Sequence, residues 1–183
     1  MSTVTTQPIA TGTWKIDTIH SHVGFAIKHM VVSTFRGRFE DYDGALVADE
    51  DGAPRLEGSV NVDSIVVKDE NLAAHLKAPD FFDSANYPQI SFRSSDVRVG
   101  DGGALEVEGE LTIKDNTHRV TARGSIAGPH VDLGGNDKIG VELEAVIDRR
   151  EYGIEFNAPL PKGGFALEND VTLQVSLELV REA

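Results

Sequence analysis

The chain has 183 residues, 40% of them hydrophobic, enough for one domain with a sizeable core. A formal net charge of −13 sets it against phosphate backbones and anionic lipid surfaces, so neither nucleic acid nor a membrane surface is an expected partner. The lack of cysteine removes disulfides, thiolate metal sites and cysteine nucleophiles together.

The opening MSTVTTQPIATG has neither the basic start nor the apolar run of a secretory leader. Residues 1–11 therefore read as a flexible tail and 12–183 as a single domain, with the cytoplasm as the expected compartment. No window approaches the ~20 apolar residues of a membrane span.

From there on, alternation with period two dominates, the signature of strands with two unlike faces. Gly12-Thr13-Trp14 opens a strand over 13–18, as Gly-x-Trp does in lipocalins. IHSHVGFAIKHM follows, and its parity separates the histidines. His20 and His22 share one face; Ser21, Val23, Phe25, Ile27 and His29 share the other. Rougher alternation runs through 37–48 and 56–67. Asp69 to Asp83 instead has helical spacing, with Leu72, His75 and Leu76 on one side, acidic residues at its start and Pro79 as a stop. One or two short helices across an end of the sheet are expected there, with Phe81, Phe82 and Tyr87 plugging or gating it. Strands resume at 89–99. In ALEVEGELTI, Leu105, Val107, Leu111 and Ile113 oppose three glutamates. After 118–126, Ile139, Val141, Leu143, Ala145 and Ile147 form another apolar face. Val171 to Leu179 is the longest.

Turns such as Asp101-Gly102-Gly103 and Gly134-Gly135-Asn136-Asp137 keep the connections short, which makes neighbouring strands antiparallel. Eight or nine long strands with one apolar face close into a sandwich or a barrel. A barrel of about eight strands has room for side chains alone or for a slender ligand. At ~3.3 Å per residue, ten-residue tilted strands make a wall roughly 25 Å tall, and small Val, Ile, Leu and Ala linings favour a cavity. Aromatics on the apolar faces are Phe25, Phe35, Phe39, Phe92, Phe156 and Phe165.

Catalytic readings are weak. His20 and His22 supply two ligands where zinc takes three or four, and the others would have to come from distant His75, His118 or His130. Ser21 points away from both, so no triad forms. Asp49-Glu50-Asp51 lacks calcium-loop spacing and reads as a solvated turn. Arg149, Arg150 and Glu151 read as a surface ion pair ahead of an anion anchor. His29 ends an apolar stripe, either as a hydrogen-bonded structural residue or as a contact for a ligand's head end.

Several blocks resemble the YceI-like family. They begin at WKIDTIHSHVGFAIKHM, through Trp14, Asp17, His20, Ser21, Phe25 and His29, and continue through Ser64-Ile65 and HLKAPDFFDSANYPQISFRSS. GELTIKDNTHRV, DRREYGI and the closing DVTLQVSLEL complete the resemblance, which spans about Gly12 to Arg181. Asp115 and Arg119 depart from the glycine and proline common at those turns.

The resemblance implies an all-β protein: an eight-stranded antiparallel up-and-down lipocalin-like barrel with one or two short helices between strands. It also implies a non-catalytic binder of a polyisoprenoid or related lipid, without cofactor and paired as a homodimer. The ligand-lining residues expected are Val23, Phe25, Ile27, His29, Phe39, Phe92, Leu111, Val141, Leu143 and Phe156. The alternatives are a metal-dependent enzyme using His20 and His22, or a ligand-free, stress-related interaction module with a filled axis.

Overall fold

The computed structural model describes residues 9–50 and 53–183. In chain order these form β1 (Gly12–Ile16), β2 (His22–His29), β3 (Ser33–Phe39), β4 (Tyr42–Ala48), β5 (Arg55–Asn61), β6 (Ile65–Val66), α1 (Glu70–Lys77), β7 (Gln89–Val99), β8 (Ala104–Ile113), β9 (Asn116–Val131), β10 (Asp137–Asp148) and β11 (Leu167–Arg181).

Eleven strand segments make eight staves. β1 with β2, β3 with β4, and β5 with β6 each run as one stave with a local break. The first break is chemical: the Asp17 carboxylate accepts from Ile19 N at 3.0 Å, an Asx turn that takes 17–21 out of the ladder. At the third, the Asn61 side chain accepts from Asp63 N at 3.0 Å and caps a 3-10 turn over Val62–Ser64.

Successive staves pair antiparallel throughout. The last stave pairs with both halves of the first: Trp14 faces Arg181 at one end, and Phe25 faces Leu173 further along. That closure leaves no free edge among the described strands. The expected eight-stranded up-and-down barrel is the architecture, with a single α-helix among the described residues. β9 and β11 extend beyond their alternating stretches, because backbone pairing with β10 continues where the side chains no longer alternate, as at Asp137 opposite Val131.

Asp69 caps α1 by accepting from Leu72 N at 2.8 Å, and Pro79 follows the last turn. Leu76 and Phe81 press this segment onto one end of the barrel, against Ile113, Tyr152 and Ile154. The opposite end is solid. Trp14 is fully buried there among Leu46, Val99, Leu105, Ile139 and Leu179. Its Nε1 donates to Ala10 O at 2.9 Å, and the Arg181 guanidinium lies 5.8 Å from its ring centre. Ile9 and Ala10 pack against this core; residues 1–8 of the expected tail lie outside the described residues, as do Asp51 and Gly52 of an expected turn. No described helix is long and apolar enough to cross a membrane.

Candidate ligand cavity

Between the solid end and α1 the axis holds a cavity of about 640 Å³, within the range of small-molecule sites. Strand parity builds its wall. Val23, Phe25, Ile27 and His29 of β2 face in, each directly across from an inward residue of β11: Val175, Leu173, Val171 and Leu167. Phe39, Phe92, Leu111, Leu143 and Phe156 also line it, so nine of the ten residues expected from the sequence meet around one space.

Val141 does not reach the cavity. It shares a face with Leu143 but sits one step nearer the solid end, 1% exposed within the Trp14 core. Phe165, counted among the inward aromatics, is 60% exposed, because it belongs to the loop before β11 and to no stave.

Glycines make room for two of the rings. A Cβ at Gly37 would lie 2.6 Å from Phe25 Cζ, and one at Gly109 2.5 Å from Phe92 Cζ. Phe25 contacts Phe35, Phe39 and Phe82 at centroid separations of 6.1–6.4 Å. His75, Phe81 and Phe156 form a second group at 4.9–5.1 Å, most pairs edge-on. Phe81 and Phe82 thus belong to the wall, while Tyr87 does not. His29 and Ser33 line the cavity and are exposed, so the space communicates with solvent at the α1 end.

The DRREYG segment keeps a surface ion pair at Arg150, with Asp148 as its partner, and corrects the expected one at Arg149. Asp148 caps a 3-10 turn over Arg149–Tyr152, accepting from Arg150 N at 3.0 Å, and Gly153 ends the turn in the left-handed region at φ 71°. Arg150 points out. Its Nε lies 3.0 and 3.1 Å from the two Asp148 oxygens, and this pairing holds the Asp148 carboxyl down at about 2. Arg149 and Tyr152 instead turn into the cavity wall, 4% and 0% exposed. Burial lowers the Arg149 pKa and pushes the Tyr152 phenol up to about 12. The alternating pattern ends at Ile147, so parity could not place these two; the cap-and-glycine frame D-x-x-x-x-G was the readable signal.

On the outer surface, His20 Nδ1 lies 2.9 Å from Asp17 Oδ2 and 3.7 Å from Glu178 Oε1. The hydrogen bond to His20 is the main cause of the lowered Asp17 pKa. Asp17, His20 and Glu178 could converge on a cation, but the Lys138 ammonium already lies 3.3 Å from Asp17 and pairs with Glu178. His22 is absent from this group; it is exposed on the outer face of β2 beside Glu142 and Gln174.

Residues 14–179 match the YceI-like domain. A UPF0312 protein of Staphylococcus aureus strain N315 is 33% identical over 165 residues, covering 88% of this chain and 94% of that protein. A UPF0312 protein of Staphylococcus epidermidis is 30% identical over 168 residues, covering 90% and 95%. Among solved structures, the Campylobacter jejuni YCEI protein is similar with a TM-score of 0.70 and 25% identity, covering 92% of this chain and 97% of that one. A polyisoprenoid binding domain from Saccharophagus degradans has the same fold, with a TM-score of 0.69 and 14% identity, covering 92% and 98%. The chain belongs to the YceI-like family.

Proposed function

We propose that this protein is a non-catalytic binder that stores or carries a long apolar ligand, a polyisoprenoid or a related lipid, inside its barrel. The observation that carries the reading is the cavity of about 640 Å³ on the barrel axis, walled by aliphatic and aromatic side chains. Each buried methylene of a ligand would gain roughly 0.8 kcal/mol, so affinity would come from the tail and selectivity for head groups from the few polar residues in the wall. The ligand class named for the S. degradans domain is of this kind. A cavity of this size also speaks against a filled axis, and Lys138 within the Asp17, His20 and Glu178 group speaks against a metal centre there.

Native mass spectrometry of the purified protein, together with uptake of a fluorescent polyprenyl probe, tests the reading. Co-purified lipid or saturable uptake at one site per barrel is the expected result. Failure of both would overturn it.

A further inference from the structure

Arg149 is a buried cation in a largely apolar wall. It is 4% exposed and lines the cavity. Its Nε donates to Glu168 O at 2.9 Å, and its Nη1 donates to Ile154 O and Phe156 O, both at 2.8 Å. These three bonds use every donor on Nε and Nη1. The two N–H groups of Nη2 have no protein acceptor among the described residues. No carboxylate oxygen of the described residues lies within 4.0 Å of the guanidinium, and the adjacent Asp148 is engaged through both oxygens by Arg150.

Three carbonyls satisfy hydrogen bonds but carry no net charge. A buried cation without a counter-ion is strongly unfavourable unless something supplies one. The same turn presents a second unsatisfied group: the hydroxyl of fully buried Tyr152, also in the cavity wall, has no hydrogen-bond partner among the described residues. The wall is mostly apolar, with a few other polar residues such as His29, Ser33 and His75, and this one four-residue turn adds a guanidinium with no contacting carboxylate and an orphan hydroxyl.

We infer that the cavity selects amphiphiles with an anionic head, a carboxylate or a phosphate, and that Arg149 Nη2 is the group that receives it. This rests on the proposed binding of an apolar tail and adds the chemistry of the head. It gives a protein of net charge −13 a means of taking up an anion: the surface field is unfavourable, but one buried guanidinium in the cavity wall provides the compensating charge.

The experiment measures displacement of a neutral apolar dye from the full chain by farnesol, farnesoic acid, farnesyl phosphate and farnesylamine, which share one tail, at about pH 8 where the acid is ionised. The acid and the phosphate should compete at least about tenfold better than farnesol, with the amine weakest. In Arg149→Gln the affinities of the acid and the alcohol should converge. Equal affinity of acid and alcohol for the wild type, or a preference that survives in Arg149→Gln, would overturn the head-group assignment alone. Should Arg149→Gln fail to fold, the order acid, alcohol, amine in the wild type decides. No competition by any of the four would overturn the apolar-ligand reading with it. Displacement by acetate or inorganic phosphate without a tail would assign the site to a free anion and overturn the amphiphile.

Discussion

Phe25 stands directly across the sheet from Gly37, and the missing Cβ of Gly37 is what lets the Phe25 ring lie along the cavity wall. The same device recurs at Gly109 and Phe92, but the two glycines differ in what else crowds them. At Gly37 the near atoms are the Phe25 ring, which borders open space, and Val67 Cγ1 at 3.2 Å; at Gly109 a Cβ would also fall on the backbone oxygen of Arg93. A ring can swing into the cavity, whereas a ladder carbonyl cannot move without its strand. Gly109→Ala should therefore cost about 2–3 kcal/mol, and Gly37→Ala about 1 kcal/mol or less, with a loss of ligand uptake in the second despite its small cost in stability. Urea denaturation of both variants checks the order.

Phe25 and Trp14 probe the two ends of the barrel. Trp14 is fully buried in packed core, while Phe25 borders a void. Trp14→Ala should cost at least the roughly 3–5 kcal/mol of a large core deletion, and Phe25→Ala less, because part of its ring has no packing partners to lose. The Phe25 variant should instead change probe affinity. Equal destabilisation in denaturant melts would count against an open axis.

Asp148 predicts an acid limb. Its carboxyl lies below its ordinary 3.8, at about 2, when folded. A depressed folded pKa means that the stabilisation is fully present above the unfolded value and is lost as pH falls from about 4 to about 2. Asp148→Asn should be less stable than wild type at about pH 6, and the difference should shrink as pH falls through that window. Thermal melts across the range read this directly. Because the pair is solvent-facing, the effect at high pH should fall in high salt.

The tip of the β2–β3 hairpin is strained. Met30 and Val31 have φ of 53° and 66°, and Val31 is 68% exposed. A β-branched residue in the left-handed region costs roughly 1–2 kcal/mol, and asparagine tolerates that region far better. Val31→Asn should raise stability by about 1 kcal/mol, seen as a higher melting temperature, with little burial lost.

Period two decides which side chains turn inward, because it follows from the pleat of each strand and needs no knowledge of its neighbours. That is why β2, β8 and β10 were legible residue by residue, and why His22 could be separated from the inward stripe. The acidic start at Asp69 and Glu70 and the Pro79 stop were equally local, and they located α1. Short turns between long strands left a sandwich and a barrel as alternatives; the YceI-like resemblance implied the barrel, and the pairing of the last stave with both halves of the first closes it.

Tertiary structure alone decided height along the barrel axis and the fate of irregular segments. Val141 and Leu143 have the same parity, yet one is packed beneath Trp14's layer and the other faces the cavity, because closure sets how the staves are staggered. Arg149 and Arg150 are adjacent and chemically alike. Only the 3-10 turn, anchored by Asp148 and by carbonyls from Ile154, Phe156 and Glu168, sends one into the wall and leaves the other in water. Periodicity determined the lining of this barrel; long-range contacts placed the charge within it.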